Sequence, residues 1–183
     1  EIATISNSDN YVLTYYLNGE KYESIILKSG SKIPENKIDE EGYEFSGWQD
    51  LPTTMPAEDI NIYANLIPKT YTITYYVDGV QYGEIETYEY KSEITPREMP
   101  VKEGREFSGW QDLPETMPAQ NIEVRGVFTY TATFYNEDKT SVIATVPFTT
   151  NDTSIQEPEI PNKEGHIGWW TDYEIKAEDL DIQ

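Results

Sequence analysis

Thirty-four carboxylates, one imidazole and no thiol set the limits of the chemistry this chain could carry. Without cysteine there is no disulfide, no thiol nucleophile and no thiolate zinc site. The sole histidine, His166, excludes a His–His metal pair within one chain. It follows Gly165, where the repeats described below carry Tyr43 and Arg105, so it reads as a solvent-exposed turn residue and not a catalytic base. No G-x-S-x-G, P-loop or H-E-x-x-H pattern occurs. With so many acids, carboxylate pairs are inevitable, but glycosidic chemistry needs two of them placed in a deep cleft. Glu40-Glu41 and Glu178-Asp179 lack the calcium-loop spacing and read as solvated faces. No catalytic, cofactor-binding or metal-ligating residue is assigned, and no cofactor is expected.

Binding chemistry is a different matter, because aromatic rings recur at fixed positions. Tyr16, Tyr76 and Tyr135 occupy one equivalent place on the polar face of a repeated strand. Three exposed aromatics in such an array would suit a glycan or a protein partner; covered by the Pro-rich crossing, they would be structural. Trp48 and Trp110 recur in identical surroundings and read as core anchors, since one large aromatic is the main apolar payload of a small domain. Trp169 and Trp170 are adjacent. In a strand they point to opposite faces, so one should be more exposed than Trp48; Trp169 and Trp170 join the tyrosines as ligand-binding candidates, the alternative being that the exposed ring packs against the second repeat.

The elements that position these rings come from an internal repeat. FSGWQDLP stands at 45–52 and again at 107–114. TYYLNGEKY (14–22) matches TYYVDGVQY (74–82), and TMPAEDINI (54–62) matches TMPAQNIEV (116–124). The offset grows from 60 to 62, so the second copy carries a two-residue insertion near 83–95. A degenerate third copy aligns YTATFYNED (130–138) and EGHIGWWTD (164–172). The organisation expected is a leader at 1–10 and repeats at 11–68, 69–128 and 129–183. The offset of 58 into the last copy maps Ile122 to Leu180 and Val124 to Ile182. The third repeat is therefore expected to be clipped at its C-terminal end and least stable.

Each copy opens on a hairpin. Asn18-Gly19 and Asp78-Gly79 are the dipeptides that tolerate φ > 0 at both positions of a type I′ turn. That turn sets Tyr15 opposite Tyr22 and Tyr75 opposite Tyr82. Glu137-Asp138-Lys139 predicts a longer turn in the third copy. In the second, Tyr71, Ile73, Tyr75 and Val77 share one face. A crossing with Pro96 and Pro100 follows and opposes a regular helix; Pro118 could begin one helical turn. The closing strand faces Ile122, Val124, Gly126 and Phe128 inward and Asn121, Glu123, Arg125 and Val127 outward. The fold class expected is mainly β or small α+β.

A net charge of −21 repels phosphate backbones and anionic headgroups, which argues against nucleic acid and membrane surfaces. No apolar run approaches the roughly 20 residues of a membrane span. A monomer is expected.

The succession YTITYYVDG, EGxxFSGW, LPETMPA and a closing strand resembles the Listeria–Bacteroides repeat, the type found as the B-repeat of internalins. The resemblance covers 11–183 and is carried best by the first two copies; the third keeps Trp169-Trp170 but loses the LPxTMPA turn. It implies a β-grasp-like unit; three such tandem repeats, on very short linkers and each net negative, are expected to form an elongated array. It further implies a non-catalytic spacer or adhesion module, extracellular on the bacterial cell surface and often wall-attached. The partner implied is a host or surface protein or a glycan.

Overall fold

The structure, a computed structural model, describes residues 9–161 and 168–183. All regular structure among them is strand, with no helix. The chain divides into two compact units. One holds residues up to Tyr71 with 89–92 and 117–120; the other holds 72–88, 93–116 and 121–183.

In the first unit, β1 (Asn10–Leu17) pairs antiparallel with β2 (Glu20–Lys28) and parallel with β4 (Ile60–Ala64). Asn18 and Gly19 have φ of 52° and 84°, the paired left-handed conformations of a type I′ turn. Alternation sends Leu13 and Tyr15 into the core, both fully buried, with Ile33, Met55 and Ile62. One detail departs from the simple hairpin. A bulge pairs Tyr15 with Glu23, so Tyr22 is the extra residue of its strand and not Tyr15's partner. The short strands β3 (Tyr43–Phe45) and β5 (Leu66–Pro68) pair antiparallel beside this sheet. Gly42 has φ +78°, and the Tyr90 ring lies 2.3 Å from where its Cβ would stand, so no other residue fits there.

The second unit repeats the plan twice. β6 (Thr70–Val77) pairs antiparallel with β7 (Val80–Gln81), bonds β8 (Glu86–Glu89), and runs parallel to β9 (Ile122–Gly126). β10 (Tyr130–Tyr135) pairs antiparallel with β11 (Val142–Phe148) and parallel with β12 (Leu180–Ile182). The turn of the last hairpin is longer, as its sequence predicts: six residues, 136–141, with Lys139 at φ 58°. Gln183 is tied to Thr171 by two hydrogen bonds of 2.6 and 3.2 Å.

Three expectations need correction. The segment at Pro118 forms no helical turn; it carries Met117 to 1% exposure, bracketed by Lys91 and Ser92 through backbone hydrogen bonds of 2.9 Å. Val127 is buried and not outward, because β9 ends at Gly126 and the alternation ends with it. Phe128 packs beyond its own repeat: it belongs to the cluster of Tyr130, Ala132, Phe134, Phe148, Leu180 and Ile182.

Candidate functional site

The three tyrosines take equivalent places on separate sheets. Tyr16, Tyr76 and Tyr135 each follow or neighbour a buried inward residue, and all three are half-buried. The Pro-rich crossing does not cover them. It lies over the opposite face, where the Trp48 indole donates to the Asn36 carbonyl at 2.6 Å while packing on Tyr15. Their partial cover comes from the neighbouring strands. Tyr16 stacks on Tyr63 at 5.1 Å and 21°, and Tyr63 is 49% exposed. Tyr76 lies 4.7 Å beneath the Arg125 guanidinium, a cation–π contact. Tyr135 stands across from Val142, itself 54% exposed.

The tryptophans divide as their neighbours dictate. Trp48 sits among Tyr15, Phe45 and Tyr22 at 4.6–6.3 Å, and Trp110 among Tyr75, Phe107 and Tyr82 at 4.8–5.9 Å. Trp110 donates to the Arg97 carbonyl at 2.8 Å. Trp170 takes the same place in the last repeat, edge-on to Phe134 at 5.0 Å and bonded to the Pro158 carbonyl at 3.2 Å. Trp169 is 77% exposed. His166 lies outside the described residues.

Three side-chain oxygens cap the backbone at the same place in each repeat. Asp59, Asn121 and Asp179 each accept from the N–H of a residue at the start of the repeat's first strand, Val12, Thr72 and Thr131, at 2.7–2.9 Å. Asn18 and Asp78 reach from the hairpin turns to the N–H of Leu66 and Phe128. Asp78 also accepts from the hydroxyls of Tyr130 and Thr150. Arg105 grips Asp179 with two hydrogen bonds of 2.8 and 2.9 Å and lies 4.5 Å over the Tyr130 ring. Asp179, read from sequence as part of a solvated face, is thus a structural acceptor. No sequence motif marks these residues; the only signal is their recurrence at the repeat spacing. Among the described residues no group of three or more His, Asp or Glu could hold a metal ion, and no helix is long and apolar enough to cross a membrane.

The Arg105 and Thr131 hydrogen bonds hold the Asp179 carboxyl at a pKa of about 2, below the ordinary 3.8. A depressed folded value means stabilisation that is complete above the ordinary range and lost as pH falls from about 4 towards 2. The melting-temperature difference between the parent and Asp179→Asn should therefore shrink across that window. A difference that stays constant would show that the charge on Asp179 contributes nothing. Burial, with help from Asp78, pushes the Tyr130 hydroxyl far above its ordinary value, so it remains a donor.

The Tyr15 hydroxyl is buried with no hydrogen-bond partner among the described residues, and burial raises its pKa. The last repeat carries Phe134 at this position, fully buried. An unmet buried hydroxyl costs roughly 1–3 kcal/mol. Tyr15→Phe should therefore leave stability unchanged or raise it in a denaturant titration; a clear loss would reveal a partner for the hydroxyl.

Comparison with known proteins follows the same periodicity. The Listeria-Bacteroides repeat domain model matches residues 11–65, 71–121 and 130–181. Internalin H of Listeria monocytogenes is 31% identical over 67% of this chain and 26% of its own length. A protein of Evansella cellulosilytica named as a membrane protein is 30% identical over 94% of this chain and 29% of its own length. The chain thus spans less than a third of these relatives. Among solved structures, the streptococcal SHIRT domains 3-4 from a cell surface protein are 17% identical, with a TM-score of 0.27, over 64% of this chain and 96% of that one.

Proposed function

This chain belongs to the Listeria-Bacteroides repeat domain family, and from that premise we propose that it is a non-catalytic repeat segment of a bacterial cell-surface protein, serving as spacer and adhesion module. The observation that carries this reading is the threefold use of one plan. Each repeat closes a hairpin with a parallel strand and anchors it on a tryptophan, Trp48, Trp110 or Trp170. Asp59 and Asp179 are spent as acceptors for backbone N–H groups, which is structural work. Similarity to Internalin H supports a bacterial surface setting.

The test is a replacement. A reporter binding domain is displayed on bacterial cells through this segment, through an unrelated folded spacer of equal length, or with the segment deleted. A spacer predicts capture kept by the first two and lost in the third. Capture lost with the unrelated spacer would assign the segment a ligand of its own.

The second reading, recognition of a glycan or host protein by Tyr16, Tyr76 and Tyr135, is favoured by one observation: Tyr16 stacks on Tyr63, which is 49% exposed. A glycan-array hit abolished by changing the three tyrosines to alanine would establish it, and a blank array would remove glycans as its ligands.

A further inference from the structure

The first and last strands of every repeat are parallel neighbours. β1 lies beside β4 over Leu13–Leu17 and Ile60–Ala64, β6 beside β9 over Ile73–Val77 and Ile122–Gly126, and β10 beside β12 over Ala132–Phe134 and Leu180–Ile182. The chain enters a repeat at the start of its first strand and leaves it past the end of its last. In a parallel pair those two points stand at opposite ends of the ladder. Tension along the chain therefore slides one strand past the other, and the evenly spaced hydrogen bonds of the ladder carry the load together. Pulling both strands from one end would instead open the bonds one at a time.

Further bonds join the same two strands just outside the ladder. One position before its first pair, Asp59, Asn121 and Asp179 on the closing side accept the N–H of Val12, Thr72 and Thr131 at 2.7–2.9 Å. At the far end of repeats 1 and 2 the hairpin turn does the same. Asn18 donates its N–H to the Ala64 carbonyl at 3.0 Å and accepts from the Leu66 N–H at 2.9 Å. Asp78 donates to the Gly126 carbonyl and accepts from the Phe128 N–H, both at 3.1 Å. A sheared ladder is most strained at its two ends, so added bonds resist sliding best there. Repeat 3 has the shorter ladder, three pairs against five. At its far end the Gln183 side chain donates to the Glu137 carbonyl at 2.8 Å.

We propose that each repeat is a shear clamp and that the segment bears tension along its length, repeat 3 yielding first. Forced unfolding is governed by the rate of unfolding and not by equilibrium stability. The clamp is therefore a kinetic property with a direction: one folded repeat resists strongly when its ladder is sheared and weakly when it is peeled. What the three copies keep at 59, 121 and 179 is an acceptor oxygen and not a charge, as a clamp requires. The use of this strength, holding tension between a cell and what the segment presents, rests on the surface reading; the strength itself does not.

Single-molecule force spectroscopy of the full chain tests this, and the absence of native cysteine lets thiol handles be placed singly. Asp9→Cys with Lys69→Cys sets the handles at opposite ends of the β1–β4 ladder and shears it. Asp9→Cys with Glu58→Cys sets both at its start and peels it. All three positions are exposed, so both variants should melt like the parent. The expected rupture force at one pulling speed is severalfold higher in shear than in peeling. Asn18→Gly keeps a turn residue suited to φ 52° and removes the far acceptor. It should lower the shear force and leave the peeling force unchanged, because peeling starts at the other end. Handles at the two chain ends should give three steps, the weakest being the one that Asp179→Ala weakens further. Equal forces in shear and peeling overturn the clamp, and so does an Asn18→Gly loss that is alike in both directions. Three steps of one force overturn the order of yielding. Failure here leaves the spacer reading standing, and capture lost with the unrelated spacer in the display experiment leaves the clamp standing.

Discussion

Trp110→Ala is expected to cost about 3–5 kcal/mol, the range of large aromatic truncations in cores. The ring is only half-buried, yet it is the meeting point of the repeat. Tyr75, Phe107 and Tyr82 converge on it from three separate segments, and its N–H holds the crossing through the Arg97 carbonyl. Its removal leaves the fully buried Tyr75 facing a cavity and frees the crossing from the sheet. Denaturant unfolding checks the cost. A parent-like curve would mean that the crossing is held without the indole and would turn attention to Trp110 as a ligand platform.

Phe128→Ala should cost about as much, again roughly 3–5 kcal/mol, but in two repeats at once. Its ring is 5% exposed, lies 5.3 Å from Phe107 of its own repeat, and sits in the buried cluster built around Tyr130, Phe134 and Ile182. Its N–H donates to Asp78, which also receives the Tyr130 hydroxyl. Amide hydrogen exchange should therefore show protection falling both in 72–88 and in 130–135. Loss confined to repeat 2 would show that the two repeats close their cores separately. The same exchange experiment on the parent measures whether repeat 3 is the least protected, as its sequence leads one to expect.

Much of each repeat could be read directly. The Asn-Gly and Asp-Gly turns, the inward rows Ile73-Tyr75 and Ile122-Val124, and the anchoring tryptophans all appear where local chemistry puts them. Turn dipeptides and period-two alternation act over a few residues, so the chain states them locally. The exposed member of the Trp169-Trp170 pair was likewise foreseeable, although which one was not. Met55 and Met117, each 1% exposed, were missed, because in TMPA a methionine between threonine and proline belongs to no periodic pattern. The Tyr22 bulge was missed for a similar reason: one extra residue in a pairing leaves no mark on alternation.

The sequence by itself determined the repeat, the hairpins, the all-strand bias and the acidic surface, since these depend on residue type and near-neighbour spacing. Only the tertiary structure decided how the charges and edges are used. Asp78, Arg105, Asp179 and Tyr130 are separated by up to 101 positions and come together because parallel closure of β9 on β6 and β12 on β10 returns distant segments to one place. Net charge suggests repulsion between neighbouring repeats, whereas at this junction one buried-side guanidinium meets a carboxylate at 2.8 Å, and at such separations the local pair outweighs the screened average. The open edge of β2 is of the same kind. Glu20–Lys28 is an ordinary strand in sequence, and only its outer place in the order β2-β1-β4 makes it a sheet edge.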